Sequence, residues 1–346
     1  MRKLLYIIVF MSIQACEKDN LHVDKIQDSN TNEDLNSGSW EQKADVGGEP
    51  RFVAVSFTIG DKAYVGTGSS IVGVLKDFWE YNPSSDVWTK KADLPAAGRE
   101  GAFGFSIGSK GYLGGGHAAV GNGELVRDFW EYDPQSNCWT RKADYPGKGL
   151  WGSVAFNIAD FGYVGTGNAG LFSAETPDGN PQKDFWRYDP EQNKWTRVAD
   201  FGGSARAFAV GFRIGEKGYL GTGITSPINL FKQDFWEYDP TGDKWTQKAD
   251  FGGGLRGWAA GFSINQKGYI GTGRTVPDDR ITNDLGERKD FWEYNPANNQ
   301  WIKKTDFPAD NRTSATAFSI NNKGYVGTGV FEFDVYRKDL WEFTPD

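Results

Sequence analysis

The chain has 346 residues, in which 38 Lys and Arg stand against 46 Asp and Glu, so the formal net charge at pH 7 is -8. Because phosphate binding draws its affinity from clustered cations, this balance excludes nucleic acid as an expected partner. The two histidines and two cysteines of the sequence are too few for a His-rich metal centre, and we expect neither a metal nor a cofactor.

The first 16 residues have the pattern of an exported lipoprotein. Two cations precede an apolar run over residues 4–13, which is too short to span a bilayer as a helix but is typical of a secretory signal. The tetrad Ile13-Gln14-Ala15-Cys16 resembles a bacterial lipobox, whose cysteine becomes lipid-modified. We therefore predict a signal peptide over residues 1–16 and lipidation at Cys16. A plain secretory signal or an uncleaved anchor is the alternative.

Residues 17–39 are rich in Asp, Asn, Ser and Thr and lack apolar periodicity, which predicts a disordered tether. The acidic Glu17 and Asp19 resemble the signal that sends lipoproteins of Bacteroidetes to the outer face of the outer membrane. We expect an outer-membrane lipoprotein that is exposed at the cell surface, or otherwise lies on the periplasmic face. Only the lipid would touch the membrane, and the folded domain would cover residues 40–346.

A module of about 50 residues is written six times after this tether, a period that is typical of radial or solenoid repeats. Each copy joins a Trp and an Ala-Asp pair to an apolar strand, a Gly-Thr-Gly-like run and an Asp-Phe-Trp-Glu-Tyr-Asp-Pro-like run. Twelve of the fourteen tryptophans mark the copies: Trp40, Trp79, Trp88, Trp130, Trp139, Trp186, Trp195, Trp236, Trp245, Trp292, Trp301 and Trp341.

Each module divides into four short strands separated by turn residues, as in residues 51–59, 62–66, 77–81 and 87–91 of the first. A four-stranded antiparallel unit repeated radially is a blade of a β-propeller. The sequence therefore predicts an all-β, six-bladed propeller. Because the domain begins with an outer strand at Trp40 and ends with a third strand, we expect the N-terminal strand to complete the last blade.

The modules resemble the Kelch family. The resemblance rests on glycines after an apolar strand (Gly114-Gly115-Gly116 in the second module, Gly-Thr-Gly elsewhere), an aromatic-Asp/Asn-Pro turn and a following Trp. It covers residues 40–346 and implies a propeller with a central channel. Variable links on one face of such a scaffold are where binding usually occurs.

Charged residues vary together between modules. A Glu of the third strand precedes a Lys of the fourth strand by eleven residues in four modules, at Glu80, Glu131, Glu237 and Glu293 with Lys91, Lys142, Lys248 and Lys304. In the third module the two positions become Arg187 and Val198. The pattern predicts a cross-strand ion pair, which we expect to be exposed, and it places Glu342 beside Lys43.

Five arginines share one position, six residues after the module's first Asp: Arg51, Arg99, Arg206, Arg256 and Arg312. The third module has Leu150 there. The arginines would surround the channel mouth, where they could bind a carboxylate or sulfate ligand, or bond loop carbonyls and acidic neighbours instead. The two tryptophans outside the repeat pattern, Trp151 and Trp258, fall within two residues of this position.

These aromatic residues and His117, in a variable link, complete the predicted ligand-binding set, although the tryptophans could equally be packing. Glu100 follows Arg99 and is the candidate general acid, since Kelch-type sialic acid mutarotases are a precedent in the family. Copper oxidase chemistry like that of galactose oxidase is excluded, because the domain has one histidine. Calcium binding at Asp278, Asp279, Asp284 and Glu287 is an alternative to a solvated acidic loop.

The sequence thus predicts a cell-envelope lipoprotein that binds a partner protein or a glycan through the loop face of its propeller. A mutarotase-like enzyme acting on an acidic sugar and a purely structural envelope module are the alternatives.

Overall fold

The computed structural model describes residues 38–118, 124–170, 179–225, 230–277, 285–332 and 334–346. The predicted lipidation site, Cys16, lies outside this part of the chain. The described residues are all in strands, turns and irregular segments, and none of them belongs to a helix that could cross a membrane.

Six four-stranded antiparallel sheets form within the described residues, one for each repeat. The innermost strands are Val55–Ile59, Phe103–Ile107, Val154–Ile158, Val210–Ile214, Ala260–Ile264 and Thr316–Ile320. The second strands are Lys62–Gly66, Lys110–Gly114, Phe161–Gly165, Lys217–Gly221, Lys267–Gly271 and Lys323–Gly327. The third strands are Phe78–Asn82, Phe129–Asp133, Phe185–Asp189, Phe235–Asp239, Phe291–Asn295 and Leu340–Thr344. The outermost strands are Val87–Lys90, Cys138–Lys142, Lys194–Val198, Lys244–Lys248, Gln300–Lys304 and Ser39–Lys43.

The sheets stand around an axis with their innermost strands side by side. Each innermost strand contacts the next one along the chain, and Thr316–Ile320 of the sixth sheet contacts Val55–Ile59 of the first. The sheets therefore close into a propeller around a central channel. Small side chains line the channel nearest the loop face, and they are Ala54, Ala102, Ser153, Ala209, Ala259 and Ala315.

The sixth sheet is closed by the N-terminal strand. Ser39–Lys43 runs antiparallel to Leu340–Thr344, with Trp40 opposite Phe343 and Lys43 opposite Leu340. The Trp40 indole N–H also donates to the carbonyl of Thr305, at 3.1 Å. The predicted closure is confirmed, and it leaves the sixth sheet with the same four strands as the other five.

The predicted charge pairs are present as diagonal contacts between third and outermost strands. Their N to O distances are 3.2 to 3.6 Å, in the pairs Glu80–Lys91, Glu131–Lys142, Glu237–Lys248, Glu293–Lys304 and Glu342–Lys43. In the third sheet the guanidinium of Arg187 lies over the Phe161 ring instead, at 4.5 Å. The expectation of exposed pairs is wrong for Glu80, Glu293 and Glu342, which are buried and also accept a tyrosine O–H from the second strand.

The hydrophobic core lies between neighbouring sheets. Phe156 of the third sheet packs against Gly218 of the fourth, where an added Cβ would come within 2.3 Å of the Phe156 Cε2 atom. Phe185 similarly meets Trp245 of the fourth sheet, with ring centroids 5.2 Å apart. Five of the six interfaces place a glycine opposite an aromatic ring in this way, and the first sheet has the small Ala63 instead. These small residues before the tyrosine of the second strand therefore set the spacing between sheets.

Short two-residue strands join the links of the loop face. Ser69–Ser70 pairs with Gly73–Val74, Ile224–Thr225 with Leu230–Phe231, and Val330–Phe331 with Val335–Tyr336. In the second repeat, His117–Ala118 lies between Arg99–Glu100 and Glu124–Leu125. These pairings hold the entry to each innermost strand against the link that follows the second strand.

Candidate binding site at the channel mouth

The five arginines of the repeat are buried inside the loop face, each with a side chain no more than 2% exposed. Each forms a bidentate ion pair with the aspartate that directly precedes the third strand of its own repeat, before Phe-Trp in four repeats and before Leu340-Trp341 in the sixth. The pairs are Arg51–Asp77, Arg99–Asp128, Arg206–Asp234, Arg256–Asp290 and Arg312–Asp339. The same Nη1 atom donates to a backbone carbonyl 16 residues further on, such as Thr222 O for Arg206, at 2.9 Å.

This arrangement argues against direct ligand contact by the predicted Arg51, Arg99, Arg206, Arg256 and Arg312. Internal acceptors engage both terminal nitrogens of each guanidinium, although Nε of Arg256 has no hydrogen-bond partner among the described residues. A ligand could reach the terminal nitrogens only by breaking a buried ion pair. Burial raises the pKa of the Asp234 carboxyl, but the hydrogen bonds and charge of Arg206 and the Trp236 indole N–H outweigh it and hold that pKa below its usual range. The arginines therefore act as internal braces between the entry loop and the third strand in five of the six sheets.

A closed circle of six backbone hydrogen bonds forms the rim of the channel mouth. Each donor lies two residues after the arginine position and bonds the equivalent residue of the preceding repeat, at 2.8 to 3.1 Å. The N–H to O pairs are Val53 to Ser314, Gly101 to Val53, Gly152 to Gly101, Phe208 to Gly152, Trp258 to Phe208 and Ser314 to Trp258. All six residues have positive φ, which costs energy for the non-glycine members and is maintained by this circle of contacts.

Three aromatic side chains follow one another along this rim, and we call them the aromatic row: Trp151, Phe208 and Trp258. The Trp151 and Phe208 rings meet edge to face with centroids 4.9 Å apart. Phe208 and Trp258 stack at 5.0 Å, and Phe231 meets Trp258 at 6.0 Å. Phe208 is 7% exposed, while the two tryptophans are half-buried, so the row presents two indoles supported by a buried phenylalanine.

Glu100 and His117 lie at the Trp151 end of the row. The two residues pair across neighbouring short strands of the second repeat, and Nδ1 of His117 is 3.1 Å from Oε1 of Glu100. The His117 and Trp151 ring centroids are 6.4 Å apart. Nε2 of His117 is buried, and no atom of the described residues forms a hydrogen bond with it. The structure thus brings together Glu100, His117, Trp151 and Trp258, four of the residues predicted to bind ligand or act on it.

Phe208 and Phe52 belong to this mouth but were not among the predicted site residues. Phe208 occupies the same repeat position as Trp258, and Phe52 the same position as Trp151, stacked on Tyr336 at 5.2 Å. Comparing repeats by position would have found both. Of the predicted calcium ligands, Asp278, Asp279 and Asp284 lie outside the described residues. Glu287 is 3% exposed, and burial raises the pKa of its carboxyl.

The described part of the chain has no group of three or more His, Cys, Asp or Glu side chains placed to hold a metal ion. The channel segment next to the mouth has a volume of about 200 Å³, and the deeper segment that continues from it has about 330 Å³.

Comparison with known proteins gives a family motif and a fold. Residues 170–202 match the Kelch motif. No curated protein matches the sequence. Among solved structures, the one titled "Structure of YjhT" is similar, with a TM-score of 0.72 and 17% sequence identity over 86% of this chain and 95% of that chain. From the repeated sheets and this similarity the fold is that of a β-propeller, and residues 170–202 carry a Kelch motif.

Proposed function

We propose that this protein is an envelope-attached binding protein whose channel mouth takes a neutral carbohydrate. The observation that supports the ligand class most directly is the aromatic row, which places a half-buried indole on either side of Phe208 on a rigid rim. The attachment rests on the sequence of residues 1–16 alone, where Cys16 would carry lipid.

The aromatic row has the chemistry of a sugar platform. One face of a pyranose ring carries several C–H groups with slight positive charge, and these pack on the negative faces of aromatic rings. Trp151 and Trp258 flank the buried Phe208, with centroid separations of 4.9 and 5.0 Å. The circle of backbone hydrogen bonds fixes Phe208 and Trp258 in place, so little conformational entropy is lost when a ligand is bound.

The polar end of the row suits sugar hydroxyl groups. The Glu100 carboxylate uses Oε1 for His117, and carboxylate oxygens accept hydrogen bonds from hydroxyls. A neutral sugar is favoured over an acidic one because the arginines are engaged internally and Glu100 would repel a negative ligand. The mutarotase-like alternative on an acidic sugar loses its expected arginine contacts, and a protein loop remains the competing ligand for the same aromatic residues.

The proposal is tested by binding of the full chain to a panel of neutral and acidic glycans, followed by titration calorimetry on the best neutral ligand. Trp151→Ala and Trp258→Ala should each weaken binding tenfold or more, because a half-buried aromatic anchor is removed. Ile302→Ala is the matched control, since Ile302 is an exposed apolar residue on an outermost strand.

Unchanged affinity in both tryptophan variants would overturn the choice of site. If the panel yields only acidic ligands, or none while a protein is recovered in stoichiometric amount from crosslinked envelopes, the neutral-carbohydrate proposal is wrong. Catalysis is tested on the same ligands, by comparing anomer interconversion in the native chain and in Glu100→Gln.

A further inference from the structure

The third repeat lacks the internal arginine but keeps the groups that would bind it. Leu150 stands at the arginine position, while Asp184 directly precedes the third strand as its counterparts do in the other repeats. Thr166 lies 16 residues after Leu150, the spacing at which the other five arginines donate to a carbonyl. The third repeat therefore has the acceptors of a guanidinium site without the chain's own guanidinium.

Asp184 and Tyr145 carry the polar groups of this site. In the described part of the chain Asp184 forms no ion pair, and its Oδ2 accepts the indole N–H of Trp186 at 2.7 Å. Tyr145 occupies the place of Phe201, the ring that lies 4.8 Å from the Arg206 guanidinium in the next repeat. Tyr145 is 1% exposed, and among the described residues its hydroxyl has no hydrogen-bond partner. Because Tyr145 and Thr166 are buried, Asp184 is the acceptor of this site that a ligand can reach.

A groove of about 850 Å³ opens at the same place. Asp184 lines it together with the loop of Gly147 and Gly149, which in other repeats supplies carbonyls to the arginine. Its size falls within the range of small-molecule pockets. It lies on the third repeat, outside the aromatic row.

The rim of the groove is cationic. Arg127, Lys148 and Lys183 line it and are exposed, and none of the three forms an ion pair with a described residue. Arg197 also lines the groove, but its guanidinium is paired with Asp200 at 2.8 Å. The groove therefore has an acceptor site at Asp184 and three available cations at its edge.

We infer that this groove binds an arginine that bears a free carboxylate, as at the C-terminus of a peptide. The guanidinium would pair with Asp184 at the wall of the groove, as Arg206 pairs with Asp234 in the next repeat. The carboxylate would meet Arg127, Lys148 or Lys183. A simple anion would be repelled by Asp184 and a simple cation by the rim, whereas a ligand with both charges satisfies both parts.

The test is titration calorimetry of the full chain with the tripeptide Gly-Gly-Arg. Two analogues test the two contacts separately. Gly-Gly-citrulline has a neutral ureido group in place of the guanidinium, and Gly-Gly-Arg amide lacks the carboxylate. Each analogue should bind at least tenfold more weakly than Gly-Gly-Arg. Asp184→Asn should weaken Gly-Gly-Arg binding by a similar factor.

Leu150→Arg is the decisive variant, because it restores the internal arginine of the other repeats. It should abolish Gly-Gly-Arg binding while leaving the melting temperature equal or higher. Gly-Gly-Arg that fails to bind the native chain, or that binds the Asp184→Asn or Leu150→Arg protein as tightly, overturns the inference.

This site is independent of the carbohydrate proposal, and the two can fail separately. Trp258→Ala should leave Gly-Gly-Arg affinity unchanged, and Asp184→Asn should leave binding at the channel mouth unchanged. A tryptophan variant that loses the tripeptide would place it on the aromatic row and contradict the groove assignment.

Discussion

Replacing Arg206 with leucine converts the fourth repeat to the residue that the third repeat has at the same position. The change removes two hydrogen bonds of 2.7 Å to Asp234, together with donors to the Thr222 and Ser204 carbonyls. It leaves the Asp234 carboxylate, whose side chain is 21% exposed, without its cationic partner. Breaking a buried ion pair in this way costs about 3 to 5 kcal/mol, and the partial exposure of Asp234 favours the lower end.

The free energy of unfolding is measured by urea denaturation, where the midpoint should fall while the slope stays constant. At about 1.6 °C per kcal/mol for a domain of about 300 residues, the melting temperature should fall by roughly 5 °C or more. The double variant Arg206→Leu with Asp234→Asn should recover part of the loss, since it removes the stranded charge. A single variant within about 1 kcal/mol of the native protein would refute the bracing role, because exposed pairs contribute no more than that.

The pH dependence gives an independent check on the same residue. Arg206 holds the pKa of Asp234 in the folded state below its usual range, so this pair stabilises the fold fully above the unfolded pKa of about 3.9. The stability is lost as pH falls through the folded pKa. The difference between native and Arg206→Leu proteins should therefore be constant near neutral pH and shrink below about pH 4.

Two further substitutions test the packing and the charge pairs. Gly218→Val should destabilise the fold by at least about 1 to 3 kcal/mol, because its Cβ would overlap the Phe156 ring. The control Gly242→Ala, whose added Cβ would have its nearest atom 4.0 Å away, should change the melting temperature little. Equal losses of stability in the two variants would contradict the packing of Gly218 against Phe156. Glu342→Gln should cost about 1 to 3 kcal/mol at pH 7, since the carboxylate accepts from Tyr325 and Lys323. Burial raises the pKa of the Glu342 carboxyl, but these two groups and the charge of Lys43 outweigh it and hold that pKa below its usual range. The loss of stability in Glu342→Gln should therefore fade below about pH 4.3, the unfolded pKa of Glu. A loss of the same size at pH 3 would contradict this account.

The sequence predicted the ion pairs between third and outermost strands but not the internal arginine braces. Glu and Lys change together in the third repeat, to Arg187 and Val198, and that covariation indicated contact. The arginine and its aspartate do not change together, because Asp184 is retained where Leu150 replaces arginine. Asp184, whose retention hid the correlation between arginine and aspartate, is also the acceptor in the groove of the third repeat.

The mouth was predicted in part. Trp151, Trp258, Glu100 and His117 were found because they depart from the repeat or flank the arginine position. Their mutual arrangement depends on the positive φ of the rim residues and on pairing between short strands. Neither feature has a sequence pattern of its own, since Val, Phe, Trp, Ser and Gly all occupy the rim position.

The pairing of Ser39–Lys43 with Leu340–Thr344 sets the order in which the molecule can be completed during synthesis. The first strand made must wait, without its partner, until the final strand has left the ribosome. Loop closure over about 300 residues is entropically costly, and contacts at such separation form late and slowly. A chain cut short after five sheets would expose strand edges at both ends of the open circle, and such edges invite aggregation. The pairing of Leu340–Thr344 with Ser39–Lys43 therefore decides whether the circle of sheets closes, and this seam is the last contact of the propeller to form.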